Sequence, residues 1–491
     1  MATGAGEESS SPPPEKMKLS PAARLFQSAR FNCYIVAIMG CKTTMDPEVI
    51  KAGLTRTLLK HPRFSSNLVA NDNEFGRKRW VRTTVNLEDH VFVPSFDLVP
   101  ENPDQFVEDY ISHITTTPLD PSKPLWELHL LNVRTSDAES VGIFRIHHSV
   151  GDGASLMSLL LACTRQTSDP DKLPTLPAPA KRTAPPGSSR VLRVLSAIWS
   201  AVTLIWNTFV DVMVFIATIL FLKDTKTPIK GSKGVELNTK RFVHRTISLD
   251  HIKLVKNATN TTINDVLLGV TQAGLSRYLN RRYCQNGKEE GTNEKKNYLP
   301  KHIRLSATIL VNLRPTVGIQ ALADMMTKNS KTKWGNWIGY LLLPFNISLQ
   351  DDPLDYVRQA KAIIDRKKHS FEAICTYFCA QLLLRILGVE LTAATARRAI
   401  SGTTLAFSNM IGPLEEVSFC GHQLAYLAPS VYGHPHALTI HFQSYVDKMT
   451  IVLAADPNVI PDPQQLLDDL ADSLKLIQEA VVKQGLTKET V

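Results

Sequence analysis

Residues 194–222 form an unbroken apolar run of 29 residues, VLSAIWSAVTLIWNTFVDVMVFIATILFL, whose single charge is Asp211. About 20 such residues suffice to cross a bilayer as a helix, so any fold of this chain must give this segment an apolar environment. Three placements are open: a transmembrane span, a helix lying on or dipping into one leaflet, and a helix buried in a core. Asp211 divides the run into pieces of 17 and 11 residues, and a carboxylate at the bilayer centre costs about 2.5–3.5 kcal/mol on insertion scales. Basic residues stand on both sides, Lys181, Arg182, Arg190 and Arg193 before it and Lys223, Lys226, Lys230 and Lys233 after it. Positive flanks at both ends favour a segment whose ends share one compartment, which is interfacial or re-entrant insertion.

The remainder reads as globular. Hydrophobic residues make up 43% of the 491, enough for more than one core, which excludes disorder as the main state. Residues 1–20 mix Ser, Pro, Glu and Lys without the apolar stretch of a secretory signal, and read as a disordered tail. Residues 21–169 alternate strand-like runs such as Tyr34 to Met39 with helical stretches such as Pro47 to Leu59, an α/β pattern. Residues 170–239 read as a linker, rich in Pro, Ser and Lys up to Ser189 and then carrying the apolar run. Residues 240–491 form a second globular stretch, interrupted by a polar insertion from Arg281 to Asn297 that reads as a solvated loop. The net charge of +9 suits polyanions or an anionic membrane face, but no zinc-finger spacing or RNA-binding motif is present, and nucleic acid is not an expected partner. Seven scattered cysteines without a CxxC pair fit a reducing compartment. Cys375 and Cys379, one helical turn apart, lack neighbours that would complete a metal site and read as core thiols.

The chemistry concentrates where a buried strand, Val141 to His147, meets an apolar helix, Ala154 to Thr164, through His147-His148-Ser149-Val150-Gly151-Asp152-Gly153. Such a joint holds an imidazole rigidly. Adjacent strand residues point to opposite faces, so only one of the two histidines can serve as a base. Asp152, just ahead of the helix, is a natural N-cap, with or without a part in orienting the site.

HHSVGDG matches the HHxxxDG signature of the wax ester synthase/diacylglycerol acyltransferase family, within the chloramphenicol acetyltransferase-like superfamily, whose peptide-synthetase condensation domains also carry doubled histidines. Further blocks resemble the plant-type members in the same order: LSPAARLF (19–26), HPRFSS (61–66), PLD and PLW (118–120, 124–126), NDVLLG (264–269), VNLRP (311–315), GNWIGY (335–340) and SNMIGP (408–413). The resemblance covers nearly the whole chain after residue 18. It implies two chloramphenicol acetyltransferase-like domains of α/β (α+β) class with a central tunnel between them, entered by acyl-CoA from one side and the alcohol from the other.

Carried over by the motif, His148 is the general base, Asp152 its structural or orienting partner, and His147 the family's extra histidine. Asn264 and Asp265 match the family's ND pair, which also reads as a helix cap, and Asn409 is a candidate donor to the oxyanion. Pro124, Leu125 and Trp126 either line the tunnel mouth or pack in the core. The implied reaction is acyl-CoA-dependent esterification of long-chain alcohols, with diacylglycerol as a second acceptor; acyl-CoA is a substrate, and neither cofactor nor metal is implied. A neutral imidazole takes the proton of a weakly nucleophilic hydroxyl as it attacks the thioester, so no covalent acyl-enzyme is needed. GxSxG, GxxxxGK[ST] and a complete dinucleotide fingerprint are missing, as is the DFGWG block of plant enzymes that acylate soluble phenolics and alkaloids. Because a shared site needs both domains on one side of the membrane, the resemblance places the enzyme on the cytoplasmic face of the endoplasmic reticulum, with the plasma membrane as a second location, and leaves the sequons at Asn257, Asn260 and Asn346 unmodified. The rival readings are acyl transfer to a soluble metabolite and a catalytically silent lipid-binding or scaffold protein.

Overall fold

Tyr34–Cys41 (YIVAIMGC) is apolar at nearly every position, the mark of a strand covered on both faces. It stands at the centre of a seven-stranded sheet in the computed structural model, which describes residues 16–71, 77–95, 100–177, 190–286, 296–313, 319–328 and 334–486. In spatial order this first sheet runs Val91–Phe92, Trp126–Leu131, Ser140–His147, Tyr34–Cys41, His422–Tyr432, Val417–Phe419 and Thr164–Gln166. A second sheet of six strands runs Ile338–Phe345, Leu305–Asn312, Leu405–Met410, Leu438–Tyr445, Lys448–Ala455 and Arg241–Ser248. Helices Ile263–Asn286 and Pro463–Lys483 pack their apolar faces, Leu267, Val270, Leu466 and Leu470 among them, against this sheet's Val243, Ile440 and Leu453 in one core.

The two sheets do not divide at residue 240. Val417–Phe419 and His422–Tyr432 lie in the second half of the sequence but complete the first sheet, with Tyr432 opposite Tyr34. Without them Tyr34–Cys41 would leave one row of backbone groups unpaired. A third, small cluster joins the lobes, made by Leu25, Phe26, Phe31 and Cys33 with Ile338, Leu384, Ala393 and Ile400.

Three segment boundaries differ from the sequence reading. The expected tail ends before Lys16, because Lys16–Lys18 pairs with Arg77–Arg82 and Ser20 caps helix Pro21–Phe26 through the Ala23 N–H; residues 1–15 lie outside the described residues. The start of the expected linker is held to the segment that crosses from the second sheet to the first, Thr175 donating its N–H to Glu415 at 2.9 Å and accepting that of Leu414, while 178–189 lie outside the described residues. The polar insertion begins later than Arg281, whose guanidinium makes a two-pronged bond with Asp469 and keeps helix Ile263–Asn286 intact; residues 287–295 lie outside the described residues, as do 314–315 of the VNLRP block.

The apolar run is one continuous helix, Arg190–Leu220. It neither crosses a core nor turns back on itself. Its outer face stands in solvent, Trp199 at 73% and Trp206 at 63% exposure, while Asp211 on the inner face is 2% exposed. The Asp211 carboxylate meets Arg366 at 2.7 Å and Lys367 at 3.1 Å on helix Leu354–Lys368. Thr208 accepts the Phe371 N–H, Arg398 donates to the Leu220 carbonyl, and the chain is then anchored by Asp224, which accepts from Ser306 and Thr404. The length and composition suffice for a membrane span, and the helix is pinned to the second lobe from Thr208 to Leu220, while residues 194–202 are exposed at every position. The charge that would penalise a span is the docking contact.

Candidate active site

Strand Ser140–His147 pairs antiparallel with Tyr34–Cys41, which sets His147 opposite Tyr34 and leaves His148 in the turn that follows. The alternation of the strand sends the two rings to different surroundings. His147 is locked inside the first lobe: Nδ1 meets Ser149 Oγ at 2.7 Å and Gln27 Nε2 at 3.1 Å, Nε2 meets Asn32 Oδ1 at 2.7 Å, and Tyr34 stands edge-on to the ring. It does not line the cavity described below. His148 does. Its ring stacks on Phe26 with centroids 4.1 Å apart, and Nδ1 is buried without a hydrogen-bond partner. Burial lowers its pKa, against the smaller opposing pull of Asp152 and Asn336, so the imidazole is neutral at pH 7.

The turn is clamped from both lobes. The His148 N–H donates to the Cys33 carbonyl at 2.9 Å, Asn336 donates to the His148 carbonyl at 3.0 Å, and Trp334 Nε1 donates to the Val150 carbonyl at 2.7 Å. Gly151 permits this last contact, since a Cβ there would fall 2.9 Å from the Trp334 ring. Asp152 caps helix Gly153–Cys163 through the Ser155 N–H at 2.9 Å, and its other oxygen accepts the Trp337 N–H at 3.2 Å. The carboxylate therefore ties the turn to the second lobe as well as to its own helix.

His148 and Asp152 face a cavity of about 190 Å³ between the two sheets. Ile35, Ala37 and Met157 contribute from the first lobe; Leu310, Ser408 and Met410 contribute from the second. Its walls are mainly apolar; the polar groups come from both lobes, Ser430 beside His148 and Asp152 on the first and Thr308, Ser408, Thr439 and His441 on the second among them, with His434 from the turn after His422–Tyr432. Such a lining sets an imidazole beside a largely apolar space.

Other expected site residues lie elsewhere. Pro124, Leu125 and Trp126 are buried in the first core, and Trp126 Nε1 donates to the Phe64 carbonyl at 2.9 Å while the ring stacks on His90. They are packing residues, not cavity lining. Asp265 is the acidic member of a capping box at the start of helix Ile263–Asn286: Thr262 N–H donates to its carboxylate at 2.7 Å and its own N–H donates to Thr262 Oγ1. Asn264 and Asn409 bond to each other at 2.7 Å, the Asn409 amide donating, and neither lines the cavity. Asn409 therefore lacks the position expected of an oxyanion donor. Conversely, Asn336 and Trp334, which hold the His148 turn, and His434 and His441, which line the cavity, have no role that the sequence assigns. Among the described residues no group of His, Cys, Asp and Glu could hold a metal.

Burial also sets an acid limit on the fold. His61, His147 and His441 are held near pKa 3 and His434 near 4, in each case chiefly by desolvation, against the ordinary 6.5. Below pH 6.5 the unfolded chain takes up protons that the native chain refuses, so stability present above 6.5 is lost on acidification. The midpoint of chemical denaturation is expected to fall between pH 7.5 and 5.5; an unchanged midpoint would show that these rings are charged in the native state.

Comparisons with known proteins bear on the family and the fold. The model of the wax ester synthase/diacylglycerol acyltransferase catalytic domain matches residues 39–267, and that of the WS/DGAT C-terminal domain matches residues 334–478. The chain is 53% identical over 490 residues to "Wax ester synthase/diacylglycerol acyltransferase 5" of Arabidopsis thaliana, covering 96% of each chain. In fold it is similar to the wax ester synthase/diacylglycerol acyltransferase from Marinobacter aquaeolei VT8, at TM-score 0.58 and 18% identity over 95% of this chain and all of that one. It is also similar to the first condensation domain of the CDA synthetase, at TM-score 0.55 and 12% identity over 95% and 96% of the two chains. With two family models spanning most of its length and a relative at this identity, the chain belongs to the wax ester synthase/diacylglycerol acyltransferase family.

Proposed function

We propose that this protein transfers an acyl group from acyl-CoA to the hydroxyl of a long-chain alcohol, giving a wax ester, and to diacylglycerol as a second acceptor, giving triacylglycerol. The observation that carries the reading is the buried His148 ring, its pKa lowered by that burial, on the wall of a mainly apolar cavity built from both sheets. The imidazole accepts the hydroxyl proton while the alkoxide oxygen forms its bond to the thioester carbonyl carbon. The tetrahedral oxyanion collapses, the carbon–sulfur bond breaks, and the imidazolium returns the proton to the departing CoA thiolate. Asp152 holds the turn that carries the ring, and His147, with both nitrogens engaged, stiffens the strand behind it. The apolar lining supports a hydrocarbon acceptor over a polar metabolite. The enzyme works on the cytoplasmic face of the endoplasmic reticulum, with helix Arg190–Leu220 against the membrane; the exposed apolar face of that helix supports this placement.

The test is product identity. Purified protein incubated with radiolabelled palmitoyl-CoA and either 1-hexadecanol or diacylglycerol should give labelled wax ester in the first case and a smaller yield of triacylglycerol in the second. Release of CoA with no labelled ester from either acceptor would reject the reading.

A further inference from the structure

A second cavity, of about 250 Å³, lies beneath helix Arg190–Leu220, between it and helices Glu372–Ile386 and Gly388–Gly402. Its walls come from Val212, Phe215 and Ile219 of the long helix, Cys379 and Leu383 of the second, and Ala396 of the third. Three threonines also line it, but each hydroxyl is spent on backbone: Thr376 donates to the Tyr340 carbonyl, Thr392 to that of Gly388 and Thr395 to that of Leu391. An occupant would therefore find no free hydrogen-bonding hydroxyl among them, and a peptide or nucleotide would leave its polar groups unpaired at a cost of several kcal/mol. Hydrocarbon fits without that penalty.

The two ends of the cavity say where the hydrocarbon comes from and where it goes. At the outer end Ile216 and Leu382 line the cavity while remaining 41% and 56% exposed, so its mouth lies in an apolar surface that also shows Trp206, Phe209, Phe378 and Ile386 to solvent. Exposed Lys223, Arg385 and Arg398 lie on the same elements or follow directly from them. A monolayer with anionic headgroups matches this combination of apolar and aromatic side chains with basic residues. At the inner end Leu25, Tyr340 and Ile400 close the cavity. Those three pack in one cluster with Phe26 and Ile338, of which Phe26 stacks on His148 and Ile338 lines the catalytic cavity. One small cluster of side chains thus touches both cavities.

We propose that the cavity beneath helix Arg190–Leu220 is the entry site for the alkyl chain of the acceptor lipid, taken from the membrane monolayer in which the exposed apolar face sits and passed to His148 past the Leu25, Phe26 and Ile338 cluster. This rests on the acceptor being a long-chain alcohol, as proposed above. Ala380 and Ala396 line the cavity, and a phenylalanine at either would fill part of it. The full-length protein and its Ala380→Phe and Ala396→Phe variants are to be assayed with palmitoyl-CoA on 1-hexadecanol in phosphatidylcholine/phosphatidylserine vesicles and on 1-butanol in solution. The ratio of the two turnovers should fall by about tenfold in each variant, the size expected when an alkyl pocket loses room for part of its ligand. A ratio within about twofold of wild type overturns the proposal, whether or not the absolute rates change. The wild-type protein gives an independent reading through Cys375 and Cys379, which line the same cavity: hexadecanol in the vesicles should slow their alkylation by N-ethylmaleimide, and no slowing also overturns it. If the wild type esterifies neither alcohol, it is the proposed function that fails.

Discussion

His148→Ala is expected to lower turnover by about 10²- to 10⁴-fold, the range that a positioned general base contributes. The fold should survive the change. The ring lost is stacked on Phe26, but the turn that carries it is held by backbone groups, the His148 N–H to Cys33 and its carbonyl to Asn336, and these bonds do not require the imidazole. Asp152 continues to cap helix Gly153–Cys163 in the variant. A His147→Ala variant should behave in the opposite way, losing stability through the Ser149 and Asn32 contacts more than it loses chemistry in the molecules that remain folded. Measuring kcat alongside the thermal midpoint separates the two. If His148→Ala retained wild-type kcat, the assigned base would be wrong.

The second large effect is structural. Lys367→Met is expected to destabilise the protein by about 3 kcal/mol, at the lower end of what removing one member of a buried ion pair costs. Lys367 Nζ bridges Asp211 at 3.1 Å and Glu372 at 2.6 Å, and all three side chains are almost fully buried. Burial pushes the Glu372 carboxyl up and the Lys367 charge is the main influence bringing it down. Without the ammonium, two carboxylates share a space in which, among the described residues, Arg366 and the Leu342 N–H are left to serve them. Arg366→Ala removes a more exposed partner from the same Asp211 and should cost about 1 kcal/mol or less. Denaturation midpoints at pH 7.5 rank the two variants. Limited proteolysis between residues 194 and 222 should rise in Lys367→Met as the long helix loosens. Equal stability of both variants would show that the helix is held by its apolar contacts alone.

What could be read from the chain and what could not follows a physical division. The His148 turn, the Asp152 cap and the alternation that separates His147 from His148 are local, fixed by residues a few positions apart, and the sequence carries all of them. Contacts made at long separation were not legible. Asp211 looked like a penalty inside an apolar run because its partners lie 155 residues downstream. His434 reaches the cavity just after His422–Tyr432, which leaves its own half to pair with Tyr34–Cys41, and His441 reaches it from the second sheet; nothing in their neighbourhood announces either placement. The PLW block leaves tunnel mouth and core packing both open from sequence alone, and long-range contacts decide for the core, where Trp126 sits between His90 and Phe64. The GNWIGY block stands out in the sequence by its likeness alone, and in the fold it holds the His148 turn through Asn336 and Trp337.

Direct attack of an activated alcohol on the thioester can be tested in a single turnover. Enzyme in excess over labelled palmitoyl-CoA, quenched at intervals, should release no CoA while hexadecanol is withheld, and should then release CoA and labelled ester in equal amounts at one common rate once it is added. Prompt CoA release without alcohol, together with label that stays on the unfolded protein, would instead reveal a covalent acyl-enzyme and contradict the role assigned to His148.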